Sequence, residues 1–182
     1  RRDAQKGYSF NLPDENYRAF SQQFAFIETA DQKQAIEQVV NDMTSEKPMD
    51  RLICGDVGFG KTEIAMRAAF KAVEDRKQVV ILAPTTVLTF QHLETFRRRF
   101  KLWPVEIRAL NRFVDKADQR KTLEDMRTGK VDILWRSMPE SVNKLLGGGS
   151  RGVFLHLKAD WEAREARRAA VQAASAENGD AR

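Results

Sequence analysis

The hydrophobic positions between residues 29 and 134 alternate between short apolar runs and helical spacing. The runs predict buried strands at 52–54, 78–82, 105–107 and 131–134. Helical spacing between them predicts helices at 62–73, 87–100 and about 115–127, with Gly129 placed to cap the last one. Strands that alternate with helices of this length need crossover connections. The pattern therefore predicts an α/β fold with a parallel sheet that carries helices on both faces.

The residues on either side of this alternation have other patterns. Before it, Pro13 starts a short helical stretch, and Thr29 with Gln32 matches a capping box at the start of another helix. After it, residues 135–146 follow neither period, and residues 147–150 are typical of a flexible link. A short strand is compatible with residues 152–157, and residues 162–176 are mostly Ala, Arg and Glu. These features divide the chain into a lead-in segment (1–28), a partial α/β lobe (29–134) and an irregular or disordered tail (135–182).

Composition narrows the class of protein. Hydrophobic residues make up 42% of the chain and charged residues 31%, which is typical of a globular protein. No apolar run approaches the roughly 20 residues of a membrane span, so no membrane partner is predicted. The lone Cys54 excludes an internal disulfide and fits a reducing compartment such as the cytoplasm. Because the chain begins at Arg1 without an initiator Met or a signal peptide, we expect a soluble piece of a longer protein.

The net charge of the chain is a weaker indication of its binding partner. The net charge of +5 allows a polyanionic partner such as nucleic acid. The densest basic cluster, at residues 97–101, is either a contact with that partner or the solvated end of a helix.

The strongest chemical signal is a segment that reads Gly55-Asp56-Val57-Gly58-Phe59-Gly60-Lys61-Thr62. It fits the P-loop pattern G-x-x-x-x-G-K-[ST], and we call it the phosphate loop. Glycines let successive backbone amides turn toward an anion, and the helix that follows adds the positive end of its dipole. Lys61 can reach the β- and γ-phosphates, and the Thr62 hydroxyl can ligate Mg²⁺. A chance glycine-rich turn is the alternative, but the position between an apolar run and a helix favours ATP with magnesium.

Longer runs of residues carry a family resemblance. They are Phe24-Ala25-Phe26-Ile27-Glu28-Thr29-Ala30-Asp31-Gln32, Met49-Asp50-Arg51-Leu52-Ile53-Cys54 continuing through the phosphate loop to Glu63, and Pro84-Thr85-Thr86-Val87-Leu88. With these runs, residues 1–134 closely resemble the first motor lobe of the transcription-repair coupling factors, which are bacterial superfamily 2 DNA translocases. The helicase RecG is a more distant match. The resemblance implies a RecA-like fold in the bacterial cytoplasm, ATP-driven movement on double-stranded DNA, and RNA polymerase and excision-repair proteins as partners.

The resemblance also implies roles for single residues. Gln32 would read the adenine edge, and Phe26 would lie near the base. Thr89 and Phe90 depart from the small and polar residues that the family has there. The side chains that would touch DNA are Thr85, Thr86, Gln91, His92 and Arg112.

Each of these residues also has a purely structural interpretation. Gln32 would merely complete the capping box, and Thr85 or Thr86 would cap the helix that follows. His92 would be a surface or packing residue, and Arg112 would only shape a loop.

The resemblance stops after Leu134. The family continues with Ile-Gly-Thr-His and then with an Asp-Glu-Glu-His box, which holds Mg²⁺ through water and polarises the attacking water. This chain continues instead with Trp135-Arg136-Ser137-Met138-Pro139, which indicates a shift of reading frame or an artificial junction. Asp160 and Glu162 are not assigned to the missing box. Without that strand, an interior edge of the sheet is expected to lie open.

Three functional hypotheses follow. The first is a truncated ATP-binding lobe of a DNA translocase. The second is a nucleotide- and DNA-binding module without turnover. The third is a non-functional gene remnant with an out-of-frame tail.

Overall fold

The computed structural model describes residues 7–56, 58–111, 113–137 and, for the backbone, the strand at 154–158. Residues 1–6 and the rest of the tail therefore lie outside the described part. The elements, in chain order, are α1 (Glu15–Gln22), α2 (Ala30–Met43), α3 (Lys61–Glu74), β1 (Gln78–Ala83), α4 (Thr86–Arg99), β2 (Ile107–Leu110), α5 (Lys116–Arg127), β3 (Ile133–Ser137) and β4 (Phe154–Lys158).

The sheet has the strand order β2-β3-β1-β4. Strands β1, β2 and β3 are parallel, and the helices α4 and α5 make the crossovers between them. β4 pairs with β1 in the antiparallel direction. The predicted α/β fold with a RecA-like parallel sheet is confirmed, with one antiparallel strand added at its edge.

Helices lie on both faces of this sheet. One face carries Ile81 and Trp135, which are paired in register and have no exposed surface. α4 covers this face, because the ring of Phe96 meets Trp135 edge-on with 4.9 Å between centroids. On the opposite face, Arg108 of β2 donates to Asp125 of α5 at 2.7 Å. The core is therefore built on the side of α4, where α3 also packs against β1.

Local sequence signals set most of the helix ends. Thr29 and Gln32 form the predicted capping box of α2, with Thr29 accepting from the Gln32 amide at 3.2 Å. Thr85 caps α4, since its hydroxyl accepts from the Leu88 amide at 3.2 Å. Gly129 follows α5 with a φ of 74°, a left-handed conformation that glycine adopts without strain. These caps satisfy backbone groups that have no partner inside the helix.

The predicted strand at 52–54 is wrong. The chain there runs from α2 to the phosphate loop without strand pairing, and Leu52 is 85% exposed. A strand needs a neighbour for its backbone groups, and both sides of β1 are already paired, with β3 and with β4. Cys54 is exposed rather than buried in a strand.

The sheet also continues past the predicted border at Leu134. β3 extends to Ser137, and Trp135 is completely buried between α4 and the sheet. The tail supplies β4, which agrees with the short strand expected near 152–157. β4 pairs with β1, so that side of β1 is not an open edge.

The lead-in segment docks on the helices through backbone and aromatic contacts. The Phe10 amide donates to the Met43 carbonyl at 3.0 Å, at the end of α2. In α1, the ring of Phe20 stacks on Phe70 of α3 with 4.1 Å between centroids. These contacts make the segment before α2 part of the folded lobe. On α3 itself, the side chain of Lys71 is 1% exposed and pairs with Asp75 at 3.0 Å.

Glu74, at the end of α3, is expected to make stability depend on pH. Burial and a hydrogen bond with Asp14 raise the pKa of Glu74 to about 7, against the opposing effect of Lys71. Between its ordinary pKa of 4.5 and about 7, the folded state holds the proton more tightly than the unfolded state. Stability should therefore fall as pH rises through this window, by roughly 1 kcal/mol once solvent screening is included.

Chemical denaturation at pH 5 and pH 8 measures this effect. Glu74→Gln should remove most of the difference between the two values of pH. Asp14 does not titrate in the same window, because its hydrogen bond with Glu74 holds the pKa of Asp14 below its ordinary value of 3.8. An unchanged pH dependence in Glu74→Gln would assign it to another group.

Candidate nucleotide site

The phosphate loop bends where the sequence supplies glycine. Gly58 and Gly60 have φ values of 87° and 81°, which L side chains rarely adopt. At Gly55, an added Cβ would come within 2.6 Å of the Phe59 ring. The loop is closed by the Phe59 amide, which donates to the Asp56 carbonyl at 3.2 Å. Its shape therefore depends on glycine for backbone conformation at two positions and for space at a third.

The loop leads directly into α3, whose N-terminal turn has no side-chain cap. Gly60 is the N-cap residue, and it offers no side-chain hydrogen bond to the amides that follow. Free amides and the helix dipole make such a turn favourable for an anion. The turn therefore has the features that favour an anion.

Lys61 lies across the loop. Its Nζ donates to the Gly55 carbonyl at 2.6 Å and to the Asp56 carbonyl at 2.7 Å. Thr62, the next residue, is half-buried in the same turn. An ammonium and a hydroxyl beside a glycine loop are the donor set that a magnesium-bound triphosphate requires. Among the described residues, no group of three His, Cys, Asp or Glu side chains converges on one point.

Gln32 joins the phosphate loop to α2. Its Oε1 accepts from the Thr29 amide at 2.9 Å, and its Nε2 donates to the Phe59 carbonyl at 2.6 Å. A Cβ on Gly60 would lie 2.7 Å from the same Nε2, so the third loop glycine leaves room for this side chain. The predicted capping box is therefore present, and Gln32 also binds the phosphate loop. Both ends of its amide are bound, so reading an adenine edge would require exchange of the contact with Phe59.

A recess opens beside Gln32 and Gly60, lined also by Phe24, Glu28, Ile36 and Ile64. Phe26, predicted to lie near a base, is 75% exposed and meets Phe24 edge-on at 5.5 Å. Phe24 is the aromatic residue that lines the recess, and the sequence analysis gave it no role of its own. Its position two residues before Phe26 was the available signal.

Four of the five residues predicted to touch DNA lie at the N-cap and along the first half of α4. Thr85 is the N-cap, Thr86 is the first helical residue, and Gln91 is exposed. His92 stacks on Trp135 with 5.2 Å between centroids, and burial lowers the pKa of His92. Of these residues, Thr85 and His92 have the structural contacts that the alternative interpretations required. Arg112, like Val57 in the phosphate loop, lies outside the described residues.

The basic cluster at the end of α4 divides into two kinds of side chain. Arg97 is 52% exposed and pairs with Glu94 of its own helix at 3.4 Å. Arg99 is 12% exposed and binds Glu63 of α3 at 2.8 Å. Arg99 is therefore an internal residue, which the sequence analysis missed. Its partner Glu63 lies 36 positions away, so no local pattern indicates the contact.

Residues 29–159, which include this site, match a known protein family, the DEAD/DEAH box helicases. The chain belongs to this family. The match includes the capping box, the phosphate loop, β1 to β3 and β4, so it covers both the candidate site and the sheet beneath it.

Curated relatives of this helicase-family chain are transcription-repair-coupling factors. The one from Haemophilus influenzae is 53% identical over 133 residues, which is 73% of this chain and 12% of the relative. The one from Myxococcus xanthus is 49% identical over 147 residues, or 81% of this chain and 12% of the relative. The chain thus spans about an eighth of the length of the relatives that it matches.

A solved structure of RecG bound to a three-way DNA junction has a similar fold. The TM-score is 0.69 at 29% sequence identity, and the match covers 75% of this chain and 19% of the RecG chain. In the described part of this helicase-family chain, no helix has the length and apolar character to cross a bilayer.

Proposed function

We propose that this chain is the ATP-binding lobe of a DNA translocase of transcription-coupled repair. The observation that carries the proposal is the phosphate loop itself. Its left-handed glycines, the Lys61 ammonium within it and the uncapped turn of α3 form a cradle of positive charge. The similarity to the coupling factors supports this assignment.

Each residue of the site has a proposed task. Lys61 exchanges its two carbonyl partners for the β- and γ-phosphates, where an ionised donor gives stronger hydrogen bonds. Thr62 supplies a hydroxyl to Mg²⁺, which neutralises phosphate charge when it is bound. Gln32 exchanges the Phe59 carbonyl for an adenine edge, with Phe24 and Phe26 nearby. Nucleotide binding would then loosen the tie between α2 and the phosphate loop.

Double-stranded DNA is the proposed second ligand. The net charge of +5 favours a polyanion, and the related RecG structure contains DNA. Thr86 and Gln91 at the exposed start of α4 are the proposed contacts, together with Thr85, His92 and Arg112. We place the parent protein in the bacterial cytoplasm, with RNA polymerase and excision-repair proteins as its partners, on the basis of the coupling-factor relatives.

A nucleotide- and DNA-binding module without turnover is the second candidate. It is favoured by one observation, the lack of an adjacent Asp-Glu pair after Leu134. A non-functional gene remnant with an out-of-frame tail is the third candidate, and the coding DNA would distinguish it from the second.

Calorimetric titration with ATP and Mg²⁺ tests the proposal. We expect binding of one ATP per chain, weaker binding of GTP, and weaker binding of ATP when Mg²⁺ is withheld. A folded chain that binds no nucleotide at millimolar concentrations would contradict the proposal.

Gln32→Ala is expected to weaken ATP binding about fivefold, because one hydrogen bond to the base and one tie to the phosphate loop are lost. GTP binding should change less, so the preference for ATP should decrease. Gln34→Ala is the matched control, since Gln34 is an exposed residue of the same helix. Equal losses for ATP and GTP would mean that Gln32 only holds the loop and does not read the base.

A further inference from the structure

Four charged side chains join three separate segments next to the phosphate loop. Glu63 of α3 accepts from Arg67 at 3.0 Å and from Arg99 of α4 at 2.8 Å. Arg67 also binds Glu28, which precedes α2. We call Glu28, Arg67, Glu63 and Arg99 the charged bridge.

The charged bridge is mostly shielded from solvent. The side chains of Arg67, Glu63 and Arg99 are 5%, 9% and 12% exposed, and that of Glu28 is 23% exposed. Arg99 is held further by the Phe20 carbonyl at 2.7 Å and by the face of the Phe20 ring at 4.0 Å. Removing one member of a buried charge pair leaves the other uncompensated, so separating these side chains is costly.

The members of the charged bridge lie close in sequence to the phosphate loop and to the Gln32 cap, and one of them ends α4. Glu63 lies two residues after Lys61, in the turn that the phosphate loop leads into. Glu28 lies next to Thr29, whose amide binds Gln32. Arg99 is the last residue of α4, the helix that begins beside Thr85. The bridge therefore touches the phosphate-binding turn, the Gln32 cap and the helix that carries the proposed DNA contacts.

We propose that the charged bridge couples DNA at the start of α4 to nucleotide affinity at the phosphate loop. The inference rests on the proposed function and adds its regulation. α4 has 14 residues and a length of about 20 Å, so a shift of its start on DNA is carried along the helix to Arg99. Arg99 then displaces Glu63 and the turn that holds Lys61 and Thr62. Arg99 and Glu63 are positioning residues, since the proposed contacts with the phosphates and Mg²⁺ are made by Lys61 and Thr62.

The experiment compares ATP affinity with and without saturating double-stranded DNA in the full chain. We expect DNA to change the affinity for ATP at least about fivefold, in the range typical of coupled sites. Arg99→Gln should reduce this change to less than about twofold. Arg97→Gln is the matched control, because it removes the same charge from the same helical turn while leaving Glu63 untouched. It should retain the full DNA effect.

The ratio of affinities separates coupling from simple stabilisation. A purely structural role of Arg99 would lower thermal stability and leave the ratio unchanged, and that result would overturn the inference while the proposed function stands. A chain that binds ATP and DNA without any mutual effect would overturn it as well. A chain that binds neither ligand contradicts the proposed function and the inference together.

If Arg99→Gln does not fold, Arg99→Lys is tested instead, since lysine keeps the charge but loses the two-pronged contact with Glu63. Full coupling in Arg99→Lys would then overturn the inference, and weakened coupling would support it.

Discussion

Lys61→Ala is expected to weaken ATP binding at least about tenfold, which corresponds to about 1.4 kcal/mol. The Lys61 ammonium lies inside the phosphate loop, within 2.7 Å of two of its carbonyl oxygens. It is the charge best placed to meet the terminal phosphates, and hydrogen bonds from a charged donor are the strong ones. Isothermal titration of the two proteins with ATP and Mg²⁺ measures the effect.

Lys33→Ala is the control for this experiment. Lys33 is an exposed residue of α2, and its removal changes the net charge equally. Circular dichroism of both variants checks that the phosphate loop substitution leaves the fold intact. Equal ATP affinity in Lys61→Ala and the unmodified chain would place the nucleotide elsewhere.

The second large effect concerns turnover. We expect this chain to bind ATP yet release phosphate at least about 10³-fold more slowly than the order of 1 s⁻¹ found in working enzymes, with or without DNA. Phosphoryl transfer to water needs positioned charges and a positioned water as well as a bound nucleotide. Lys61 and Thr62 provide the cradle and one metal ligand. The carboxylate pair that would complete the site is missing from the sequence after Leu134.

Phosphate release is followed with and without double-stranded DNA, and Lys61→Ala reports contaminating activity. DNA-stimulated turnover of order 1 s⁻¹ that disappears in this variant would sink the expectation. It would mean that Asp160, Glu162 or another carboxylate acts in place of the missing box.

Sequence patterns predicted the features that depend on neighbouring residues. The capping box at Thr29, the cap at Gly129 and the left-handed glycines of the phosphate loop each follow from contacts within a few positions. The same local patterns predicted that the strands are parallel. Crossover helices can be recognised because the spacing of hydrophobic residues alternates between that of a strand and that of a helix.

Features that depend on distant pairing were predicted less well. The run at 52–54 has the composition of a strand, but β4 occupies the place beside β1. Trp135 lies just beyond residues 1–134, the stretch whose motifs the sequence analysis used, yet it is fully buried because its register places it beside Ile81. Whether an apolar run becomes a strand is decided by a partner far along the chain, which local spacing does not encode.

The candidate site shows the same division. Lys61 and Thr62 could be found from the loop pattern alone. The contact of Gln32 with Phe59 spans 27 positions, and that of Arg99 with Glu63 spans 36. Both contacts form only when α2, α3 and α4 pack together. The sequence therefore shows that these residues are present but does not show which of them are paired.

The central claim is that ATP binds in the phosphate loop. Backbone amide spectra of the labelled 20.8 kDa chain during titration with ATP and Mg²⁺ test it most directly. We predict that the largest shift changes occur at residues 55–62 and at the Gln32 side-chain amide, and that they are lost in Lys61→Ala. Unchanged signals from residues 55–62 at saturating ATP, or changes confined to residues remote from them, would contradict the account.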